Sequence, residues 1–248
     1  MLGRLFLNYG KKICAHSKSR HVNFIGDIRF LNFASSIVNT RNNMSASRRL
    51  KDLIVLVDMD GVLAEFEGYF LEQYKQKWPG EPFVSLEERR TFYLYDQYPD
   101  CRDKVQDVLN EPGFFRKLPP IEGAVDAVKE MSTMNGVQVF ICTTPMIKNY
   151  QYSVVEKYEW IEEHMGRYWL DRMILTCDKT VIKGDILIDD KHFISGAEKR
   201  PSWKHILFTS CHNHDVPLKG RKRLDGWVPH KAWIDLLEDA KEDLQRKH

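Results

Sequence analysis

The chain has 248 residues, 43% of them hydrophobic and 29% charged, with a formal net charge of +2. That balance excludes a disordered or fibrous chain, and the length suffices to bury a large core. No apolar run approaches the roughly 20 residues of a membrane-spanning helix; the strongest, Leu53 to Val57, is strand-sized.

The charge is unevenly spread. Of 37 basic and 35 acidic residues, seven basic ones (Arg4, Lys11, Lys12, Lys18, Arg20, Arg29, Arg41) and one acid (Asp27) lie in residues 1–43, so the body from Met44 onward carries 30 basic and 34 acidic residues, a net −4. The basicity is therefore no signal for a nucleic-acid polymer, and neither nucleic acid nor membrane is expected as a partner. Leu2, Leu5, Phe6, Tyr9 and Ile13 can share one helical face near Arg4, Lys11 and Lys12, which suits a mitochondrial presequence; translation from Met44 would equally leave this leader out of the working protein. The expected location is the mitochondrion in the first case and the cytoplasm in the second. Leu5-Phe6-Leu7 is too short for a secretory signal. Five scattered cysteines without a Cys-x-x-Cys pair argue for a reducing compartment rather than a disulfide framework. Cys211-His212-Asn213-His214 lacks zinc-site spacing and reads as a loop.

In chain order, Leu53–Val57 reads as a fully buried strand, β-branched and without alternation. A long polar, aromatic-rich helical stretch follows, and Pro119-Pro120 marks its return. Ala124, Val125, Val128 and Met131 recur at helix spacing, and 137–142 reads as the second strand. Val155, Tyr158, Ile161 and Met165 trace another helix face. Short strands follow at 173–175, 185–188 and 205–208, then an amphipathic C-terminal helix with Trp233, Leu236, Leu237, Ala240 and Leu244. Strands alternating with helices predict an α/β fold, a parallel sheet covered on both faces. The stretch between the first two strands is too long for a simple crossover. The expected division is a leader over 1–43, an α/β core over 50–67 and 119–248, and a small helical domain inserted over 68–118 above the carboxyl edge of the sheet.

Ligands of such sheets bind outside the carboxyl ends of the strands. Those ends here supply Asp58-Met59-Asp60-Gly61, Thr143-Thr144-Pro145, Lys179 and Asp189-Asp190. This set suits phosphoryl transfer. Asp58 and Asp60, two apart, point the same way in extended chain, one to attack phosphorus and the other to handle protons. Gly61 permits a sharp turn and offers N–H groups to phosphate. Thr143 offers a hydroxyl. Lys179 neutralises phosphate charge and keeps Asp58 ionised, and Asp189 and Asp190 form an acidic pole for Mg²⁺ with Asp58.

The four strand-end motifs resemble those of the haloacid dehalogenase superfamily of phosphatases. Longer strings, Val55 to Glu67, Val139 to Pro145, Asp178 to Val181, Leu187 to Lys191, Pro201 to Trp203 and Ile206 to Thr209, resemble the 5′(3′)-deoxyribonucleotidases across roughly residues 53–237. The resemblance implies a Rossmann-like parallel sheet core with a helical cap, and a deoxynucleoside monophosphate as substrate. It implies Asp58 as nucleophile and Asp60 as acid and base. Mg²⁺ would be held by Asp58, the Asp60 carbonyl and Asp190, with Asp189 in support. It further implies Thr143, Thr144, Lys148 and Lys179 around the phosphate, and Phe66, Phe92, Tyr93 and Phe115 around the base. Lys191 falls where the family carries Lys or Arg. A homodimer is compatible with the family, although the chain shows no dimer signature of its own.

Asp-x-Asp-Gly alone is more often a turn. An EF-hand is excluded because its twelfth position here is Tyr69. A receiver-type signalling module would be about half this length, without an insert, and would place paired acids on its first strand. A sugar phosphatase of the same superfamily is the competing reading.

Overall fold

The structure is a computed structural model, and it describes residues 52–246; the leader and its helical face lie outside the described residues. Six strands form one parallel sheet: β1 Leu53–Val57, β2 Val137–Thr143, β3 Met173–Leu175, β4 Ile186–Asp189, β5 Lys204–Phe208 and β6 Lys222–Leu224. Their order is β3-β2-β1-β4-β5-β6. The chain fills one side of β1 first and then the other, so the strand order reverses between β1 and β4. The crevice at such a reversal is where open α/β sheets bind ligands.

The helices are α1 Phe66–Lys77, α2 Leu94–Gln97, α3 Arg102–Leu109, α4 Ala124–Thr133, α5 Tyr150–Met165 and α6 Lys231–Arg246. The first three precede α4 in the β1–β2 connection. Alternate residues of β1 serve opposite faces, as strand geometry requires. Leu53, Val55 and Val57 join a large apolar cluster with Phe70 of α1, Val105 of α3, Val128 of α4, Trp160 of α5 and Trp233 of α6. Leu56 joins a smaller cluster with Cys142, Leu187 and Trp203. Both faces are covered, as expected, but only the first by helices. The helices gather on the first face, and the second packs side chains from strands and connecting segments, including Ile182 and Ile194. The reason is local: β3 reaches β4 through a single 3-10 turn, Lys179–Val181, and β4 reaches β5 without a helix.

β6 is a strand without a sequence signal, since Lys-Arg-Leu has no apolar pattern. The stretch between β1 and α4 leaves and returns at one place. Glu65 N–H donates to the Pro119 carbonyl and Ile121 N–H to that of Leu63, each at 2.8 Å. Among the described residues no helix is long and apolar enough to cross a membrane, and all four cysteines are free.

Candidate active site

The chain leaves β1 through a tight turn in which the Met59 carbonyl accepts N–H bonds from Val62, Leu63 and Ala64. Asp58 and Asp60 both reach the same cavity, as expected, with a bend at Met59 between them and the turn following over 61–63. Gly61 has φ +75°, and a Cβ there would sit 2.3 Å from Asp190 Oδ2, so both conformation and space demand glycine. Its N–H donates to the Ala64 carbonyl, not outward as expected for phosphate. The Glu65 carboxylate then caps α1, accepting from Gly68 and Tyr69 N–H at 2.8 and 3.0 Å.

The strand ends converge on a cavity of about 430 Å³, within the range of small-molecule sites. Asp58, Asp60, Thr143, Thr144, Lys179, Asp189 and Asp190 all line it, and so do Phe66, Phe92, Tyr93 and Phe115. Lys148 does not. It is exposed, with its ammonium 5.6 Å from the Tyr95 ring centre, because the 3-10 turn Ile147–Asn149 carries it past the rim.

Lys179 lies between Asp58 Oδ1 at 2.7 Å and Asp189 Oδ2 at 2.6 Å. Burial pulls its pKa down, but the two carboxylates more than offset this, and the net shift is upward, so it stays charged. Asp58 is pushed up by burial and by Asp189, with Lys179 opposing. Asp190 is held well above the carboxylate range by burial and by the neighbouring Asp189 and Asp58 charges. Oxygens of Asp58, Asp189 and Asp190 all come within 4.8 Å of one another. Asp189 spends both oxygens, one on Lys179 and the other on Lys191 N–H. Asp190 Oδ1 is buried and has no partner. This excess of buried negative charge, with one free oxygen, fits a hard cation that takes oxygen ligands.

Three groups around these acids are not evident from the sequence. Lys157 of α5 is fully buried; its Nζ donates to Asp60 Oδ2 at 2.5 Å and to Thr143 Oγ1 at 3.1 Å. Asp60 is still raised, by burial first, with Lys157 opposing. The neighbouring Glu156 accepts from Gly113 and Phe115 N–H at 2.6 and 3.0 Å. Of the expected face of α5, Ile161 and Met165 are buried and Tyr158 half-buried, but Val155 is 54% exposed, and the buried side extends instead to Ser153, Glu156, Lys157 and Trp160. The second group is the 211–214 loop, where His212 Nε2 lies 3.1 Å from Asp190 Oδ2 and Asn213 Nδ2 donates to the Asp190 carbonyl at 2.8 Å. It is a loop, as expected, but it packs directly behind the acidic pair. The third is a buried bidentate pair, Glu67 with Arg89, both bonds 2.8 Å. Gln97 Oε1 accepts from Arg89 Nη1 and from the Arg90 and Thr91 N–H groups, which fixes the segment leading to Phe92 and Tyr93. At the cavity mouth Lys191 Nζ donates to the Tyr93 hydroxyl at 2.7 Å and lies 4.9 Å from the centre of the Phe92 ring.

A reversal-point crevice lined by two aspartates from one strand end, a threonine, a lysine and a second acidic pair is the layout of a haloacid dehalogenase-type α/β hydrolase. Comparison with known proteins narrows this. The family model described as "5' nucleotidase, deoxy (Pyrimidine), cytosolic type C protein" matches residues 52–241. The human 5'(3')-deoxyribonucleotidase, cytosolic type, is 50% identical over 198 residues, 78% of this chain and 97% of that protein. The mitochondrial 5'(3')-deoxyribonucleotidases of Mus musculus and Homo sapiens are 47% and 48% identical, over 80% and 74% of this chain and 91% and 82% of their own lengths. The chain belongs to the 5′(3′)-deoxyribonucleotidase family.

Proposed function

We propose that the protein is a Mg²⁺-dependent phosphatase that releases phosphate from deoxyribonucleoside monophosphates such as dUMP and dTMP. The observation that carries this reading is that Asp58, Asp60, Lys179 and Asp190 line the same cavity as Phe66, Phe92, Tyr93 and Phe115, with Lys157 paired to Asp60 behind it. Aromatic faces suit a planar base, and a sugar phosphate would leave them without a partner.

Asp58, kept ionised by Lys179, attacks phosphorus. The bond from phosphorus to the leaving ribose oxygen breaks, and Asp60 supplies that oxygen's proton. Water then attacks the aspartyl-phosphate, Asp60 takes its proton, and the Asp58–phosphate bond breaks to release inorganic phosphate. Burial of Asp60 favours the proton it needs in the first step, and Lys157 favours the carboxylate it needs in the second. Thr143 and Lys179 hold phosphate oxygens, and Thr144 faces the same space. The Asp58 and Asp190 carboxylates with the Asp60 carbonyl would hold Mg²⁺, whose charge offsets that of the phosphate; Asp189 steadies Lys179.

We further propose that residues 68–118 act as a cap over a core of 50–67 and 119–248. The paired ends of this segment and its contribution of Phe92, Tyr93 and Phe115 to the cavity support that role. The test of the activity is phosphate release from dUMP and dTMP in the presence of Mg²⁺, which Asp58→Asn abolishes; an Asp58→Asn protein with wild-type turnover would remove Asp58 as nucleophile. N-terminal sequencing of the native protein distinguishes a mitochondrial form, cleaved within the leader, from a cytoplasmic one that starts at Met44.

A further inference from the structure

We infer that His212 is a positioning residue for the metal site: its Nε2–H caps Asp190 Oδ2, so that Oδ1 is the oxygen presented to the cation. The inference rests on the reading of Asp190 as a metal ligand. A carboxylate that ligates a cation is ionised and can only accept hydrogen bonds. The hydrogen at the 3.1 Å contact must therefore belong to His212 Nε2. The other ring nitrogen, Nδ1, is buried and has no partner, as suits a bare lone pair better than a buried N–H.

Asp190 is held from three directions, two at its carboxylate and one at its backbone carbonyl. His212 holds Oδ2 by hydrogen bond. Gly61 presses on the same oxygen, leaving no room for a Cβ. Asn213 Nδ2 bonds the Asp190 carbonyl and is itself held by Arg223 of β6, whose Nη1 donates to Asn213 Oδ1 at 3.0 Å. Oδ1 alone stays without a protein partner. The imidazole also stands edge-on to Phe92, with ring centres 5.4 Å apart and planes at 89°. One side chain thus touches both the metal carboxylate and the aromatic wall of the cavity.

The test compares His212→Asn, His212→Phe and His212→Gln in the full chain. The Gln amide nitrogen can reach the place of Nε2; that of Asn reaches only the place of Nδ1, and Phe keeps the ring without a donor. Mg²⁺ affinity is read from the rise in melting temperature with Mg²⁺ concentration, and melting in EDTA reports the fold independently. Losing a partner that orients a metal ligand typically costs about 10–100-fold in affinity. We expect that loss in Asn and Phe and its recovery in Gln. Wild-type affinity in Asn or Phe, neither of which places a donor at Nε2, or equal losses in Asn and Gln, would overturn the positioning role while leaving the phosphatase reading intact. A wild type that hydrolyses dUMP but whose melting ignores Mg²⁺ would overturn the metal reading and this inference with it.

Discussion

Lys157→Met removes the ammonium from beneath Asp60 while keeping the length of the side chain. Lys157 is fully buried and contacts both Asp60 and Thr143, so water does not replace it. An opposite charge in contact lowers a carboxylate pKa by about 1–3 units, worth about 1.4–4 kcal/mol between the two protonation states. Burial already holds Asp60 above its ordinary range, and without Lys157 it climbs further. A higher pKa keeps Asp60 protonated over more of the pH range, which serves the first step. It also leaves less carboxylate to take the proton from water in the second. On the acidic limb, where the carboxylate is the minor form, breakdown of the aspartyl-phosphate should slow by about 10–1000-fold, the factor that 1–3 units imply. Rapid-quench measurement of nucleoside release from dUMP should then show a burst close to one per enzyme, absent in the wild type. The acidic limb of the kcat profile should move to higher pH by the same number of units. A Lys157→Met protein without a burst, and with a kcat profile superimposed on that of the wild type, would refute the division of labour between burial and Lys157.

Two further outcomes concern stability. His205 is held neutral at a pKa of about 4, chiefly by burial, with Nε2 against the Asp189 carbonyl at 3.2 Å and Nδ1 facing Arg221. Its folded pKa lies below the ordinary value of about 6.5, so the unfolded chain binds the extra proton and stability falls as pH drops from about 6.5 towards 4. Between pH 7 and 5 this group should remove about 2 kcal/mol, measured by urea unfolding; His205→Gln should flatten that slope, and an unchanged slope would exclude the histidine as its source. Arg89→Met should cost about 3–5 kcal/mol, because Glu67 is left buried and unpaired, and should raise KM for dUMP through the Phe92–Tyr93 segment. The Arg89→Met/Glu67→Leu double variant should recover much of the stability; additive losses in the double-mutant cycle would show that the pair does not act as a unit.

The acids at the strand ends are legible because a buried β-branched run that stops at a carboxylate has few other readings. Asp58 after Leu53–Val57 and Asp189-Asp190 after Ile186–Ile188 both follow that rule, and the sheet brings them together. Lys157 is not legible. Hydrophobic spacing on α5 points to Val155, Tyr158, Ile161 and Met165; Ile161 and Met165 are buried, but so are Ser153, Glu156 and Lys157, because Lys157 reaches Asp60 and Thr143. Glu156 and Lys157 can be buried because the partners that satisfy them are far along the chain, at Asp60, Gly113 and Phe115. The role of His212 is hidden for the same reason, since its partner Asp190 is remote in sequence and only the β5–β6 connection brings the two together. That loops rather than helices cover the second face is not legible, because alternation of strands and helices holds only as far as β3; beyond it the connections are turns and loops.

The most direct measurement of the central claim is phosphate release across a panel of deoxyribonucleoside monophosphates, ribonucleoside monophosphates and sugar phosphates, each with Mg²⁺ and with EDTA. A phosphatase built from Asp58, Asp60 and Asp190 beneath an aromatic wall should turn over dUMP and dTMP well ahead of any sugar phosphate, and lose that activity in EDTA. Sugar phosphates turned over faster than every deoxynucleotide, or full activity towards dUMP in EDTA, would contradict it.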